Sequence, residues 1–262
     1  VTAFPEAHPP ATPSEHPPVV LIHGGNVANW MWEPQLPAVA DRLALTPDLP
    51  GFGARAAEDW PGLAGAADDV AERIRALAGE RRVDVVGLSL GGAVALHLAA
   101  RHPELVRSVL VSGAAAVPLP RQTRLAARAQ LALWGMRWSW RAQAAVYGMP
   151  KEARRAFVEH GVTLRRDNAR AMLDEVFSGA LPQDLRDYSG RMLAVVGEKD
   201  HAVMRASLDR IQMAVPHAET RTAPGVHHVW SIEDVEHFNA MVVAWLQGRI
   251  DGWLREPELV HL

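Results

Sequence analysis

The sequence predicts an α/β fold with a mostly parallel central sheet flanked by helices. Three observations predict it. Short β-branched runs alternate with helical stretches through short connections, which implies a parallel sheet covered on both faces. One junction, Gly87-Leu88-Ser89-Leu90-Gly91, joins the run Val83-Asp84-Val85-Val86 to the helix-forming stretch Ala93–Ala100. Residues 115–190 interrupt the alternation with amphipathic helical patterns alone.

The elements follow in order. Pro5, Pro9, Pro10, Pro13, Pro17 and Pro18 crowd the first eighteen residues, so a mostly irregular arm is expected over 1–18. Phe4 and its neighbours supply at most one edge strand. Val19–Ile22 is a short buried strand running into His23-Gly24-Gly25. Trp32, Leu36, Val39 and Leu43 mark a helical pattern, and Leu43–Thr46 the next strand. Asp48-Leu49-Pro50-Gly51-Phe52-Gly53 is a turn-rich loop. Leu63–Ala78 is a helix, with Asp68 and Asp69 read as lying near its start, where acidic groups suit the dipole. Strands follow at Ser108–Ser112, Met192–Val196 and Thr220–Ala223, with helices at Ala202–Ala214 and Val235–Leu246. The tail to Leu262 is weakly specified.

Composition excludes several classes. The chain has 262 residues, 48% hydrophobic and 22% charged, with a formal net charge of −3. That suits one enzyme-sized domain and leaves no nucleic-acid footprint. With no cysteine, disulfides, thiolate catalysis and cysteine metal sites are ruled out. The apolar stretch 85–100 is interrupted by glycines and Ser89 and is too short to span a bilayer, so no stable membrane insertion is expected. The opening has neither a basic start nor an apolar core, so no signal peptide is read and a cytoplasmic protein is expected. A removed leader stays open, since the chain starts at Val1. Oligomeric state is not legible.

The Gly87–Gly91 junction carries the chemistry. A turn sharp enough to lift a serine hydroxyl clear of a sheet strains the backbone and needs small neighbours. Gly87 and Gly91 meet that demand, and Gly92 adds room. A serine hydroxyl is a poor nucleophile until a base lies within hydrogen-bond reach and a third group holds that base. Asp200 follows a strand in Gly197-Glu198-Lys199-Asp200, and His228 lies in Pro224-Gly225-Val226-His227-His228 after the next strand. Both sit on loops at strand ends, a usual place for reactive side chains. Glu198 has a lesser claim as the carboxylate. His97 is read as a satisfied interior histidine. The adjacent histidines lack a partner at ligand spacing, so no metal is expected.

These motifs together resemble the α/β-hydrolase superfamily, in its lid-bearing esterase-like branch, from about Val19 to Leu246. Glu233, Glu236 and Phe238 fit the segment after the histidine. The resemblance implies the α/β-hydrolase fold, with a core of 1–114 and 191–262 and a helical lid at 115–190 over the carboxyl ends of the strands. It implies Ser89 as nucleophile, His228 as general base and acid, and Asp200 as the orienting carboxylate. His228 is preferred to His227 because the family histidine usually stands four residues after the loop proline. The oxyanion donors are implied to be the backbone N–H groups of Gly25 and Leu90. No cofactor is implied.

Trp134, Trp138 and Tyr147 in the inserted segment are read either as an aromatic wall over the serine or as core packing. Asn26, Asn29 and Trp30 are further wall candidates. Arg121, Arg124, Arg128, Arg137 and Arg141 face no acidic residue within 115–150; they are read as a solvated face or as a lure for an anionic group. The leading function is hydrolysis of a carboxylic ester, with an apolar or aromatic acyl group, through an acyl-enzyme. Thioester, lactone and carbon–carbon hydrolysis, a cofactor-free lyase and a non-turnover small-molecule receptor stay open on the same residues.

Overall fold

The structure is a computed structural model of the chain that describes residues 4–146, 149 and 151–257, with the side chains of Val146 and Glu152 outside that description. Among the described residues, seven strands form one sheet. The first, β1 (Ala7–His8), is the one strand that the proline arm supplies among the described residues, and it pairs antiparallel with β3 (Ala44–Leu45). Strand β2 (Val19–Ile22) lies parallel between β3 and the central strand β4 (Val83–Leu88). Next come β5 (Val106–Ser112), β6 (Arg191–Gly197) and β7 (Glu219–Ala223), all parallel, giving the order β1-β3-β2-β4-β5-β6-β7. Every residue of β2 and β4 is buried, so both faces are covered. From β2 the chain leaves toward one edge, and from β4 toward the other. The carboxyl ends of these neighbours therefore flank a topological switch point, where open α/β sheets bind ligands.

Helices flank the sheet. α1 (Gly62–Ala78) packs on α2 (Leu90–Arg101), and the helix Val235–Leu246 on the 29–39 segment. That segment is a 3₁₀ helix: Pro34 and Pro37 lie inside it and remove the donors an α-helix needs. Asp68 and Asp69 lie in the middle of α1, not at its start, and serve ion pairs instead of the dipole. Asp68 binds Arg101 and His102, and the hydrogen bond from Arg101 above all holds its carboxyl down at about 2. Asp69 binds Arg55 and Arg73. The tail is more specified than expected: Trp253 stacks on His237 at 4.1 Å, and Arg255 bridges to Thr222. No helix among the described residues is long and apolar enough to cross a membrane.

Between β5 and β6 lie α3 (Arg121–Leu131), α4 (Arg137–Val146), α5 (Lys151–Gly161) and α6 (Arg166–Val176). Sidechain bonds tie α6 down. Glu175 accepts from Trp60 Nε1 at 2.8 Å and from the Leu63 N–H at 3.1 Å, satisfying a free donor at the start of α1. Asn168 accepts from the Trp60 N–H and donates to the Glu58 carbonyl. α5 reaches the core through His160, whose ring meets Trp30 edge-on at 6.4 Å. Trp30 is thus a packing partner of α5 and not a pocket wall. His97 is not satisfied: its Nε2 finds no partner among the described residues, and burial lowers its pKa.

Two predictions follow from this packing. A Cβ at Gly87 would lie 2.3 Å from the Gly91 carbonyl oxygen, whereas one at Gly135 would meet nothing within 4 Å. Gly87→Ala should lower stability by about 3 kcal/mol or more, and Gly135→Ala by less than about 0.5 kcal/mol, read from urea midpoints. Equal midpoints would show that the turn has room to spare. The second concerns acid. Burial pushes the His160 imidazole down to about 4. A neutral buried histidine contributes stability that is full above its unfolded pKa of about 6.5 and is lost as pH falls through the folded value, here about 3 kcal/mol. Thermal melts from about pH 7 to about pH 4 should fall less for His160→Gln than for the parent. Parallel falls would assign the acid sensitivity to another group.

Candidate active site

Ser89 closes β4 and stands just before the first residue of α2. Its φ of 53° is one of two positive values among the described non-glycine residues, the other being Asn26. That backbone is strained for a residue with a side chain. The turn survives because its neighbours have none. A Cβ at Gly91 would sit 2.0 Å from the Ile22 carbonyl oxygen, and one at Gly92 2.9 Å from Ala114 Cβ. The Ser89 N–H is fixed by the Ser112 carbonyl at 2.8 Å.

Asp200 and His228 arrive on separate loops. Asp200 follows β6, with its side chain 1% exposed. Its Oδ1 accepts from the His201 N–H at 2.7 Å, and its Oδ2 accepts from His228 Nδ1–H at 2.7 Å. With Nδ1 protonated, Nε2 of His228 is free to accept, and Ser89 Oγ lies 2.9 Å from it. A hydroxyl, an imidazole and a carboxylate therefore form one hydrogen-bonded line. Such a line can draw a proton from the hydroxyl and return it to a leaving group.

Other residues set these loops against each other. Glu198 accepts from the Gly225 N–H at 2.6 Å, and the Lys199 N–H donates to the Val226 carbonyl. Glu198 thus holds the acid loop to the base loop. A Cβ at Gly113 would lie 2.7 Å from His228 Cε1, so glycine there makes space for the ring. His227 points elsewhere: its ring and its N–H both bind Glu233, at 2.9 and 2.8 Å. Below the site, His23 donates from Nδ1 to the Gly24 carbonyl and accepts the Leu49 N–H at Nε2. Burial pushes its pKa down, so it is a neutral strut between two loops. Asp48 accepts from the N–H groups of Asn29 and Ala54.

A cavity of about 410 Å³ opens at Ser89. Gly25, Asn26, Leu90 and His228 line its base. A Cβ at Gly25 would lie 3.8 Å from Leu90 Cβ, which puts the two turns side by side. The Leu90 N–H belongs to the first turn of α2, where backbone donors lack helical partners. The upper walls come from α3 and α6, through Ala126, Ala127, Gln130, Met172, Leu173 and Val176. Met149 and Phe157 add to them. These residues belong to no motif. The i, i+3, i+4, i+7 spacing of Ala169, Met172, Leu173 and Val176 marked a buried face, without saying what it faced.

Four aromatic and polar wall candidates stand elsewhere. Asn29 is buried, with its side chain donating to the carbonyls of Phe4 and Thr46. Trp30 packs on His160, as described above. Trp134 packs on Trp140 at 4.6 Å and donates to the Leu164 carbonyl, inside the helical segment. Trp138 is 56% exposed, because α4 turns that face to solvent. Tyr147 lies outside the described residues. Among the described residues, no cluster of three or more metal-ligating side chains occurs.

The chain is 43% identical over 97 residues to the pimeloyl-[acyl-carrier protein] methyl ester esterase of Neisseria meningitidis serogroup B, covering 36% of this chain and 35% of that protein. The match therefore spans about a third of the relative's length. The chain is 28% identical over 269 residues to the 2-hydroxymuconate semialdehyde hydrolase of Pseudomonas putida, covering 93% of this chain and 89% of that one. The solved esterase of Exiguobacterium antarcticum superimposes with a TM-score of 0.77 at 18% identity, covering 90% and 93% of the two chains. At that identity the likeness shows the fold. A family model for alpha/beta hydrolases matches residues 19–240, a span that takes in Ser89, Asp200 and His228, and the chain belongs to that family.

Proposed function

We propose that the protein hydrolyses carboxylic esters with apolar acyl groups through an acyl-enzyme. The observation that carries this reading is the unbroken line Ser89 Oγ, His228 Nε2, His228 Nδ1 and Asp200 Oδ2, with separations of 2.9 and 2.7 Å. In this reading Ser89 Oγ attacks the ester carbonyl carbon as His228 Nε2 takes its proton. The tetrahedral oxyanion is met by the backbone N–H groups of Gly25 and Leu90. His228 then gives its proton to the departing alkoxide oxygen, and the alcohol leaves. Water attacks the acyl-enzyme with His228 again as base, and the carboxylic acid departs. Asp200 keeps the ring turned and stabilises the imidazolium. The steps need no cofactor.

The acyl group goes to the largely apolar cavity beneath α3 and α6. We assign residues 115–190 to a lid over a core of 1–114 and 191–262, since α3, α5 and α6 supply the walls farthest from the sheet. The relative named as a methyl ester esterase supports ester chemistry.

Three measurements test the proposal. A fluorophosphonate probe should label Ser89 alone, mapped by mass spectrometry. Ser89→Ala and His228→Ala should each cut hydrolysis of a short p-nitrophenyl ester by about 10⁴-fold or more while the fold survives. A folded variant near the parental rate would overturn the assignment. Ala127→Phe, which fills the cavity wall, should lower the ratio of kcat/KM for octanoyl over acetyl esters by about tenfold. An unchanged ratio would place the acyl chain elsewhere.

A further inference from the structure

A second cavity of about 430 Å³ lies in the groove between α4 and α5, and none of its lining residues is shared with the cavity at Ser89. Arg137 and Arg141 of α4 face Lys151, Arg154 and Arg155 of α5 across it, over a floor of Ala144 and Val158. Five cationic side chains thus converge on a space the size of a small ligand. The acidic residues of α5 are Glu152 and Glu159. Glu159 is taken by Arg155 at 2.9 Å. Arg154 spends its Nε–H on the Met149 carbonyl at 2.8 Å, leaving its terminal nitrogens toward the groove. Among the described residues, Arg137, Arg141 and Lys151 enter no close ion pair, although the Arg137 charge also acts on the Glu159 carboxylate. The charge is not a property of the whole chain. Residues 115–190 hold twelve Arg and Lys against seven Asp and Glu, a net of +5, in a chain of net −3.

Like charges gathered in one concavity repel, and an anion seated among them relieves that repulsion and gains charge-assisted hydrogen bonds. A single carboxylate offers one charge and two oxygens. A phosphoryl or pyrophosphoryl group offers two or more charges and at least three acceptor oxygens, which suits several guanidinium forks at once. We infer that the α4–α5 groove is a binding site for the phosphoryl end of a soluble phosphate ester or diphosphate. The inference does not depend on the hydrolase reading. The site lies on α5 behind Phe157, which faces the other cavity, so one helix carries both.

The test uses pyrophosphate as the probe and the full chain, by calorimetric titration at low ionic strength. Saturable one-to-one binding with a Kd on the order of 0.1–1 mM is expected, weakening as salt rises. Arg137→Ser with Arg141→Ser, both exposed, should weaken it by about tenfold or more. Arg121→Ser with Arg124→Ser, the control, removes the same charge from α3 outside the groove and should leave Kd within about twofold. Equal losses in the two double variants would replace a site with a diffuse field and overturn the inference. No saturable pyrophosphate binding would also overturn it. So would binding to vesicles of anionic phosphatidylglycerol without binding to pyrophosphate, since the groove would then serve a lipid surface. Circular dichroism of both variants separates lost binding from lost fold.

Discussion

The architecture turns on one strained residue. Ser89 holds a φ of 53° where β4 becomes α2, and that conformation exists only while the chain around it comes closer than any side chain allows. The approach of Gly91 to the carbonyls of Ile22 and His23 brings the ends of β2 and β4 together at the switch point of the sheet. That same approach sets Gly25 beside Leu90 and leaves the Ser89 hydroxyl raised toward the cavity. Steric crowding in the backbone, with the sheet's register behind it, thereby orients the group on which the proposed chemistry depends.

The partners of Ser89 are held by polar bonds between loops. Asp200 is nearly fully buried and has both oxygens engaged, so it has no freedom to turn away from His228. Glu198 and Lys199 fasten the Asp200 loop to the loop that precedes His228. Trp230 anchors the far side of that loop by donating to Ser112 Oγ at 2.9 Å, at the end of β5. The ring of His228 occupies the space that Gly113 leaves open. Three strands, β4, β6 and β7, thus deliver one hydrogen-bonded line through contacts made only at their carboxyl ends.

The helical segment is attached unevenly. Glu175 and Asn168 bind α6 to the approach of α1 through buried or half-buried hydrogen bonds, each sparing a backbone group an unmet donor or acceptor. By contrast, α3 buries Leu131 alone among its residues, although it supplies one whole wall of the cavity. Few buried contacts mean a low cost of local opening. The cavity is therefore bounded by one fixed wall and one lightly held wall.

The sequence by itself determined the alternation of strands and helices and the turn at Ser89, because both are written in local terms: period and glycine spacing. Asp200 and His228 stood out as loop residues after strands, and the resemblance to the α/β-hydrolases, not local pattern, preferred His228 to His227. It also limited the proline arm to one edge strand, since proline withholds the donors a ladder needs. The pairing of His227 with Glu233, the burial of Asn29, the packing of Trp134 on Trp140 and the outward face of Trp138 were decided only in three dimensions. Asp68 and Asp69 show the same limit, since distant arginines and not the nearby helix end claimed them. Local pattern tells which face of an element is apolar, but the element that covers that face comes from elsewhere in the chain. The walls of both cavities were invisible for that reason, being made where α3 to α6 meet one another and the sheet.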